Sequence, residues 1–273
     1  YEFLNLKAII STGSVLSAEG FNYIYTNIKS DLHLASISGG TDICGCFVSA
    51  VPTLPVYAGE IQGACLGMAV DVFNEKGKSL TADQKGELVC TKPFPSMPIG
   101  FWNDDKYSNY LNSYFSKFDG IWTHGDFASK SINSGFVIHG RSDATLNSKG
   151  VRIGTAEIYR VVEQLDEIIE TLAVAKVIGP DSKVILFVVL KSGYLLTNEL
   201  KQQIIGGLRT QASPRHIPDL IIQAPELPRT KSNKLVELAV SDLINGRSVR
   251  NRDGLLNPAA LDWFAALDLD SLI

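Results

Sequence analysis

Neither a metal cage nor a disulfide framework is available to this sequence. Its 273 residues hold 4 cysteines, Cys44, Cys46, Cys65 and Cys90. Their spacings match no zinc motif and no set of paired half-cystines. Reduced, buried thiols in a cytoplasmic protein are the expectation. Long apolar runs are missing too. The longest, Val184 to Leu190, is too short to span a bilayer and suits a buried strand. No charged segment leads into an apolar one in the manner of a secretory leader. Positive charge is scarce: 25 Lys and Arg against 29 Asp and Glu leave a formal net charge of −4. That argues against a nucleic-acid surface or a basic membrane patch. Internal repeats and low-complexity runs are absent. What is there is an ordinary globular composition, 45% hydrophobic and 20% charged, in a chain long enough for two compact units.

The chain opens with a strand at Leu6 to Ser11, a helix at Ser17 to Lys29 and a second strand at Leu32 to Ser38. This βαβ order implies parallel pairing. Open parallel sheets bind ligands beyond the carboxyl ends of their strands. Both strands run into suitable residues, Thr12-Gly-Ser14 and Ser38-Gly-Gly-Thr-Asp42. Glycines there let backbone N–H groups approach a ligand, and Thr41 and Asp42 suit a phosphate and its Mg²⁺. Taken alone, Gly-Gly-Thr-Asp is also a common loop composition and reads more readily as a plain turn.

From Val51 to Arg141 the texture is β. Short strands with turn signals, among them Ala69 to Phe73, Gly86 to Cys90 and a hairpin of Phe127 to Ile132 with Phe136 to His139, predict a small barrel or sandwich. Asp104 to Phe118 interrupts them with a short helix or loop. Thr123-His-Gly-Asp126 stands just before a strand. Asp126 there suits either the vicinal hydroxyls of a ribose or a turn satisfied by backbone N–H groups.

His139 to Glu157 then changes character midway. Arg141 and Asp143 sit at a junction, and Thr145 to Ile153 reads as a tight hairpin whose Gly150 can take positive φ. Thr155 is a candidate cap for a helix over Ala156 to Leu165. Two arginines, an aspartate and a flexible turn between two textures read as a hinge beside an anionic ligand, or as a solvated surface hairpin. Strands follow at Glu170 to Ile178, Val184 to Lys191 and Leu220 to Gln223, with a helix at Thr197 to Gln211. Proline stops that helix at Pro214. A polar loop, Leu227-Pro-Arg-Thr-Lys-Ser-Asn-Lys234, precedes a helix at Leu235 to Leu243, and a short apolar helix lies around Pro258 to Leu269.

Four of these segments occur in one order: Ser38 to Asp42, Thr123 to Asp126, Gly140-Arg-Ser-Asp143 through Arg152 and Glu157, and Leu227 to Lys234. The series resembles the adenylate-forming superfamily of acyl-CoA synthetases, luciferases and peptide-synthetase adenylation domains, over about residues 1–240. Thr12-Gly-Ser-Val-Leu16, Ser38-Gly-Gly-Thr-Asp-Ile43, Ser213-Pro-Arg-His-Ile-Pro-Asp219 and Leu256-Asn-Pro-Ala-Ala-Leu-Asp-Trp-Phe264 look like its acetoacetyl-CoA synthetase branch. The resemblance implies an AMP-forming ligase. A carboxylate, here acetoacetate, attacks the α-phosphorus of ATP, and coenzyme A then displaces AMP. Phosphate charge develops in the first step, so fixed cations and Mg²⁺ are needed. Another short-chain acid, or a noncatalytic lid or interaction module, is the alternative.

By the same resemblance Lys234 is the mobile catalytic lysine and Asp143 the hinge. Gly13, Ser14 and Val15 lie against adenine. Thr41 and Asp42 hold phosphate and Mg²⁺, Asp126 holds the ribose, Arg141 lies near ribose and phosphate, and Arg152 lies near the phosphates. Gly150 lines the pantetheine tunnel. Arg209 meets a phosphate of coenzyme A, or is a solvated helix arginine. The implied fold class is α/β with α+β. Residues 1–50 end an α/β subdomain, 51–141 form a small β-barrel subdomain, 142–244 a mobile α/β lid with a small sheet, and 245–273 a linker and helical tail. The partners implied are small molecules and the remainder of the chain's own N-terminal domain.

Four departures matter. Asp42 replaces the usual glutamate and is shorter by one methylene. Ser38, Gly39 and Gly40 stand where acetate-activating relatives carry a tryptophan, which opens the acyl pocket, although a methylene of pocket discriminates by only ~1–3 kcal/mol. Asn233 replaces a glycine, and asparagine tolerates positive φ. The Ser/Thr/Gly-rich loop that grips the β- and γ-phosphates is missing. It is expected upstream of Tyr1, so the 273-residue piece alone is expected not to turn over.

Overall fold

The structure, a computed structural model, describes residues 3–148, 151–179, 181–249, 252–269 and 271–272. Two compact units divide the chain, Tyr1–Ser142 and Asp143–Ile273.

The first unit begins as the sequence predicts. Strands β1 (Ala8–Ser11) and β2 (His33–Ser36) pair in parallel around helix α1 (Ala18–Asn27). Ser17 caps α1, its Oγ accepting from Gly20 N at 3.2 Å. The chain then turns into an antiparallel sheet of β3 (Ser38–Gly40), β4 (Gly45–Ser49) and β5 (Gly63–Ala64). A four-stranded antiparallel sheet follows, β6 (Val70–Phe73), β7 (Lys85–Cys90), β8 (Trp122–Lys130) and β9 (Phe136–Arg141), with α2 (Ser108–Tyr114) between β7 and β8. Ile43, Phe47, Val48, Val72, Leu88, Phe94 and Trp122 build the core between these layers.

Three expectations change here. Among the described residues no barrel closes: β6 and β9 are the outer strands of the four-stranded sheet, and β9 meets an isolated bridge, Ile61–Phe136, rather than a further strand. Thr123-His-Gly-Asp126 does not precede a strand; it lies inside β8, which starts at Trp122. Its polar and glycine residues break the alternation that marks a strand, yet Trp122, Thr123 and Asp126 are buried. Likewise Ser38-Gly-Gly40 is strand β3, not the loop after β2.

The second unit is a sheet covered on both faces. Strands β10 (Leu146–Ser148) and β11 (Val151–Ile153) form a hairpin, and α3 (Thr155–Val162) follows. The long antiparallel pair β12 (Ile168–Ile178) and β13 (Asp181–Leu190) is extended by β14 (Leu220–Gln223), parallel to β13. Helix α4 (Asn198–Gln211) is capped by Thr197 and ends before a 3₁₀ turn at Pro214–His216. Helices α5 (Glu237–Ile244) and α6 (Ala260–Ala265) complete the unit. Alternate residues of β13 serve opposite cores. Val184, Leu186, Val188 and Leu190 pack with α3 and α4, whereas Ile185, Phe187 and Val189 pack with α5 and α6. Burial on both faces is why this strand reads as an unbroken apolar run.

Thr155 is not the cap of α3. Gly154 is the cap residue, and the Glu157 carboxylate accepts from its N–H at 3.1 Å. Among the described residues no helix is long and apolar enough to cross a membrane.

Candidate active site

The sequence motifs of the first unit meet where β3 lies beside β8. Ser38 Oγ donates to Asp126 Oδ2 at 2.9 Å. Arg141, opposite Asp126 in the β8–β9 register, donates from Nη1 to Asp126 Oδ1 at 3.3 Å and to the His124 carbonyl at 3.1 Å. Asp126 is 6% exposed, and the Ser38 hydroxyl and Arg141 guanidinium give its two oxygens the partners that a buried carboxylate requires. Glycine makes this pairing possible. Gly125 has φ +85°, and a Cβ there would stand 2.6 Å from Arg141 Nη2.

The β3 glycines are held from two sides. A Cβ on Gly39 would meet the Gly45 carbonyl oxygen at 2.0 Å; one on Gly40 would meet His124 Cε1 at 2.4 Å. His124 Nε2 lies 3.0 Å from the Gly39 carbonyl. Burial pushes the His124 imidazole down, against the pull of Asp126, which favours the neutral ring. Asp42 follows β3 and accepts a hydrogen bond from the Tyr114 hydroxyl. Burial, and then the Asp42 carboxylate, push the Tyr114 phenol up, which keeps its hydroxyl a donor. Thr41 is exposed beside Asp42.

Gly13, Ser14 and Val15 leave the carboxyl end of β1 and are exposed. Gly13 has φ +95° with open space around it, as a loop that lets a flat ligand approach the backbone requires. Ile37 N, one residue past the end of β2, donates to Ser11 O at 3.0 Å. The glycine loop and β3 therefore depart from the same edge of the parallel pair.

The remaining predicted residues stand on the second unit. Asp143 opens it and lines a small cleft with Thr145, Glu237 and Ser241. Arg152 Nε donates to Thr145 Oγ1 at 2.9 Å. Gly150 lies outside the described residues. Lys234 is exposed on a tight turn. Thr230 N donates to Lys234 O at 2.9 Å and Asn233 N to Thr230 O at 2.8 Å. Asn233 has φ +64°, the conformation that asparagine tolerates. Arg229 braces the turn by donating to Asn233 O at 2.8 Å while pairing with Glu170 of β12. Arg209 is exposed in the last turn of α4. Its helix covers the sheet face opposite the one that packs Leu235, next to Lys234. So the structure gathers Ser38, Gly39, Gly40, Asp42, Asp126 and Arg141, but does not gather Arg209 with Lys234.

Sequence reasoning missed His124, Tyr114 and Trp122. Two of them were within reach. His124 sits inside the Thr123–Asp126 motif, and Trp122 directly precedes it. Tyr114 carries no local signal.

No family model matches the chain. It is 54% identical to the acetoacetyl-coenzyme A synthetase of Rhizobium meliloti (strain 1021) over 268 residues, 98% of this chain and 41% of that protein. It is 44% identical to the acetoacetyl-CoA synthetase of Gallus gallus, across 95% of this chain and 39% of that one. Among solved structures, the acetoacetyl-CoA synthetase from Streptomyces lividans superposes with a TM-score of 0.87 at 40% identity, covering 97% of this chain and 41% of that one. The chain is a homologue of the acetoacetyl-CoA synthetases. It spans about two-fifths of the length of the curated relatives it matches. A benzoate CoA ligase from Burkholderia xenovorans LB400, at 22% identity and TM-score 0.70, shares the fold.

Proposed function

We propose that this chain is the C-terminal part of an AMP-forming ligase that activates acetoacetate as an acyl-adenylate and transfers it to coenzyme A. The observation that carries this reading is the Ser38–Asp126–Arg141 cluster in a chain so close to acetoacetyl-CoA synthetases. Asp126 binds the ribose diol, its two oxygens exchanging the Ser38 hydroxyl and Arg141 for ligand hydroxyls. Arg141 remains beside the sugar and the α-phosphate. Gly13, Ser14 and Val15 take the adenine, and Thr41 takes a phosphate oxygen.

Mg²⁺ fits this corner as an ion carried in by the nucleotide. Such an ion needs one or two carboxylates plus phosphates. Among the described residues no cluster of three His, Cys, Asp or Glu could hold a metal by itself, and Asp42 supplies an oriented carboxylate. When bound, Mg²⁺ neutralises phosphate charge. Ser38, Gly39 and Gly40 leave the acyl pocket without a bulky cap.

The second unit supplies the cations. Lys234, exposed on a braced turn, bridges the attacking carboxylate and the phosphates, and Arg152 joins them. The division of the chain between Ser142 and Asp143 supports Asp143 as the hinge. Ser142 is tied to the first unit, its N–H donating to Gly125 O at 2.8 Å and its Oγ to Glu87 at 2.6 Å. Arg209 meets a phosphate of coenzyme A or stays a solvated helix arginine. In this reading residues 1–50 end an α/β subdomain, 51–141 form the β-rich subdomain, 142–244 the mobile lid and 245–273 its tail, in a cytoplasmic enzyme.

The test is ATP–pyrophosphate exchange by the complete polypeptide with acetoacetate, acetate, propionate and butyrate. Acetoacetate is expected to give the highest kcat/KM. Equal or better exchange with butyrate moves the reading to another short-chain ligase. No exchange with any acid leaves a noncatalytic module.

A further inference from the structure

A buried aromatic platform supports the corner, and none of the motifs includes all of it. Trp122 is 1% exposed, and two lines of contact leave its indole. Tyr114, the last residue of α2, stacks on it with ring centroids 3.7 Å apart and planes 13° from parallel. The Tyr114 hydroxyl reaches Asp42 Oδ2. On the other side the indole nitrogen stands 3.5 Å from His124 Nδ1. Indole nitrogen only donates, so Nδ1 accepts and the imidazole proton sits on Nε2, donating to the Gly39 carbonyl. Phe47 wedges the same imidazole, with ring centroids 4.8 Å apart.

We propose that Tyr114 is a positioning residue for the Asp42 carboxylate, and that His124 plays the same part for the Gly39–Gly40 strand, both mounted on Trp122. This rests on the ligase reading above. An aspartate on a nucleotide-borne Mg²⁺ must place one oxygen within about 2.1 Å of the ion. A free carboxylate would sample several rotamers, and each lost rotamer costs binding. The Tyr114 phenol has two side-chain torsions, and the indole stack restrains its ring, so its hydrogen bond restricts where Asp42 can point. This restraint accompanies the short aspartate stem: what the side chain lacks in reach is matched by a fixed direction. His124 does the equivalent for the backbone. Its N–H fixes the Gly39 carbonyl while its ring fills the space over Gly40, so the acyl-side strand and the phosphate-side acid share one buried reference.

The experiment is isothermal titration of the complete polypeptide with ATP, in Mg²⁺ and in excess chelator, beside the exchange assay. Tyr114→Phe keeps the stacked ring and removes only the hydroxyl. It is expected to reduce the preference for Mg·ATP over metal-free ATP by about tenfold, the scale of one hydrogen bond to a charged group. Metal-free ATP binding, the KM for acetoacetate and the melting temperature should stay as in the wild type. Asp42→Asn should lose the same preference, and the Asp42→Asn/Tyr114→Phe double variant should lose no more than Asp42→Asn. His124→Gln should raise the KM for acetoacetate about tenfold and leave the Mg²⁺ preference alone. The proposal is overturned by a Tyr114→Phe protein with unchanged preference, by equal losses with and without Mg²⁺, by additive losses in the double variant, or by a wild type that does not bind Mg·ATP. A wild type that binds Mg·ATP with the expected cycle, yet shows no exchange with acetoacetate, refutes the substrate and leaves the positioning role standing.

Discussion

Gly39 and Gly40 adjoin each other in sequence but are required for different reasons. A methyl group on Gly39 would lie 2.0 Å from the Gly45 carbonyl oxygen and 2.5 Å from Cys46 Cα. Both are backbone atoms of β4, which cannot swing aside as a side chain does. A methyl group on Gly40 meets only the His124 ring. Gly39→Ala is therefore expected to lower stability by about 1–3 kcal/mol, the usual cost of overpacking, and to lower acetoacetate exchange with it. Chemical denaturation followed by Trp fluorescence would report this through Trp122. An unchanged midpoint would mean that β3 and β4 are not packed as described. At this scale Asp42, Asp126 and Arg141 were legible, because each lies in a short polar motif between apolar segments. Tyr114 was not, since its partner Asp42 is 72 positions away and nothing near it in the chain marks that contact.

Among the elements, α5 is held by a half-buried carboxyl group. Glu237, in its first turn, accepts from Thr155 Oγ1 at 3.1 Å and from the Tyr159 hydroxyl at 3.0 Å, both on α3. The Tyr159 oxygen in turn accepts from Ala173 N of β12 at 3.0 Å. Burial is the largest influence on Glu237 and pushes its carboxyl up, against the two hydroxyl donors. A raised folded value means that the folded state favours the neutral acid. The stability this group contributes is therefore complete below the unfolded glutamate pKa of about 4.3 and is lost as pH rises through the raised value. Glu237→Gln keeps the accepting oxygen and removes the charge. Wild type and variant should melt together near pH 4, and the variant should gain as pH climbs to neutrality. A pH-independent difference in melting temperature would show that charge is not what Glu237 contributes. Element types were largely readable. The apolar run of β13 and the spacing in α4 marked themselves, because burial on two faces and on one face leave different periods. The start of β8 was hidden, because its buried polar residues are satisfied by distant partners such as Ser38.

For the whole molecule, the proposed chemistry is divided between units: the acid, the ribose aspartate and Arg141 on Tyr1–Ser142, Lys234 and Arg152 on Asp143–Ile273. If Lys234 acts in adenylation alone, Lys234→Ala in the complete polypeptide should cut acetoacetate-dependent pyrophosphate exchange by at least about a hundredfold. Thioester formation from supplied acyl-adenylate and coenzyme A should be retained. Equal loss of both half-reactions would refute the role. The barrel expectation fails at this scale as well. Local patterning marks each strand, but which edges find partners depends on residues far apart in the chain. By itself the sequence determined the opening βαβ unit, the long apolar run of β13 as a buried strand, the order of the main helices and the identity of the charged motif residues, because periodicity and turn chemistry act over a few positions. Only the tertiary structure decided that the sheets stay open, that Asp126 pairs with Ser38 and Arg141, and that Trp122 carries Tyr114 and His124. Those outcomes depend on packing between segments the chain keeps far apart.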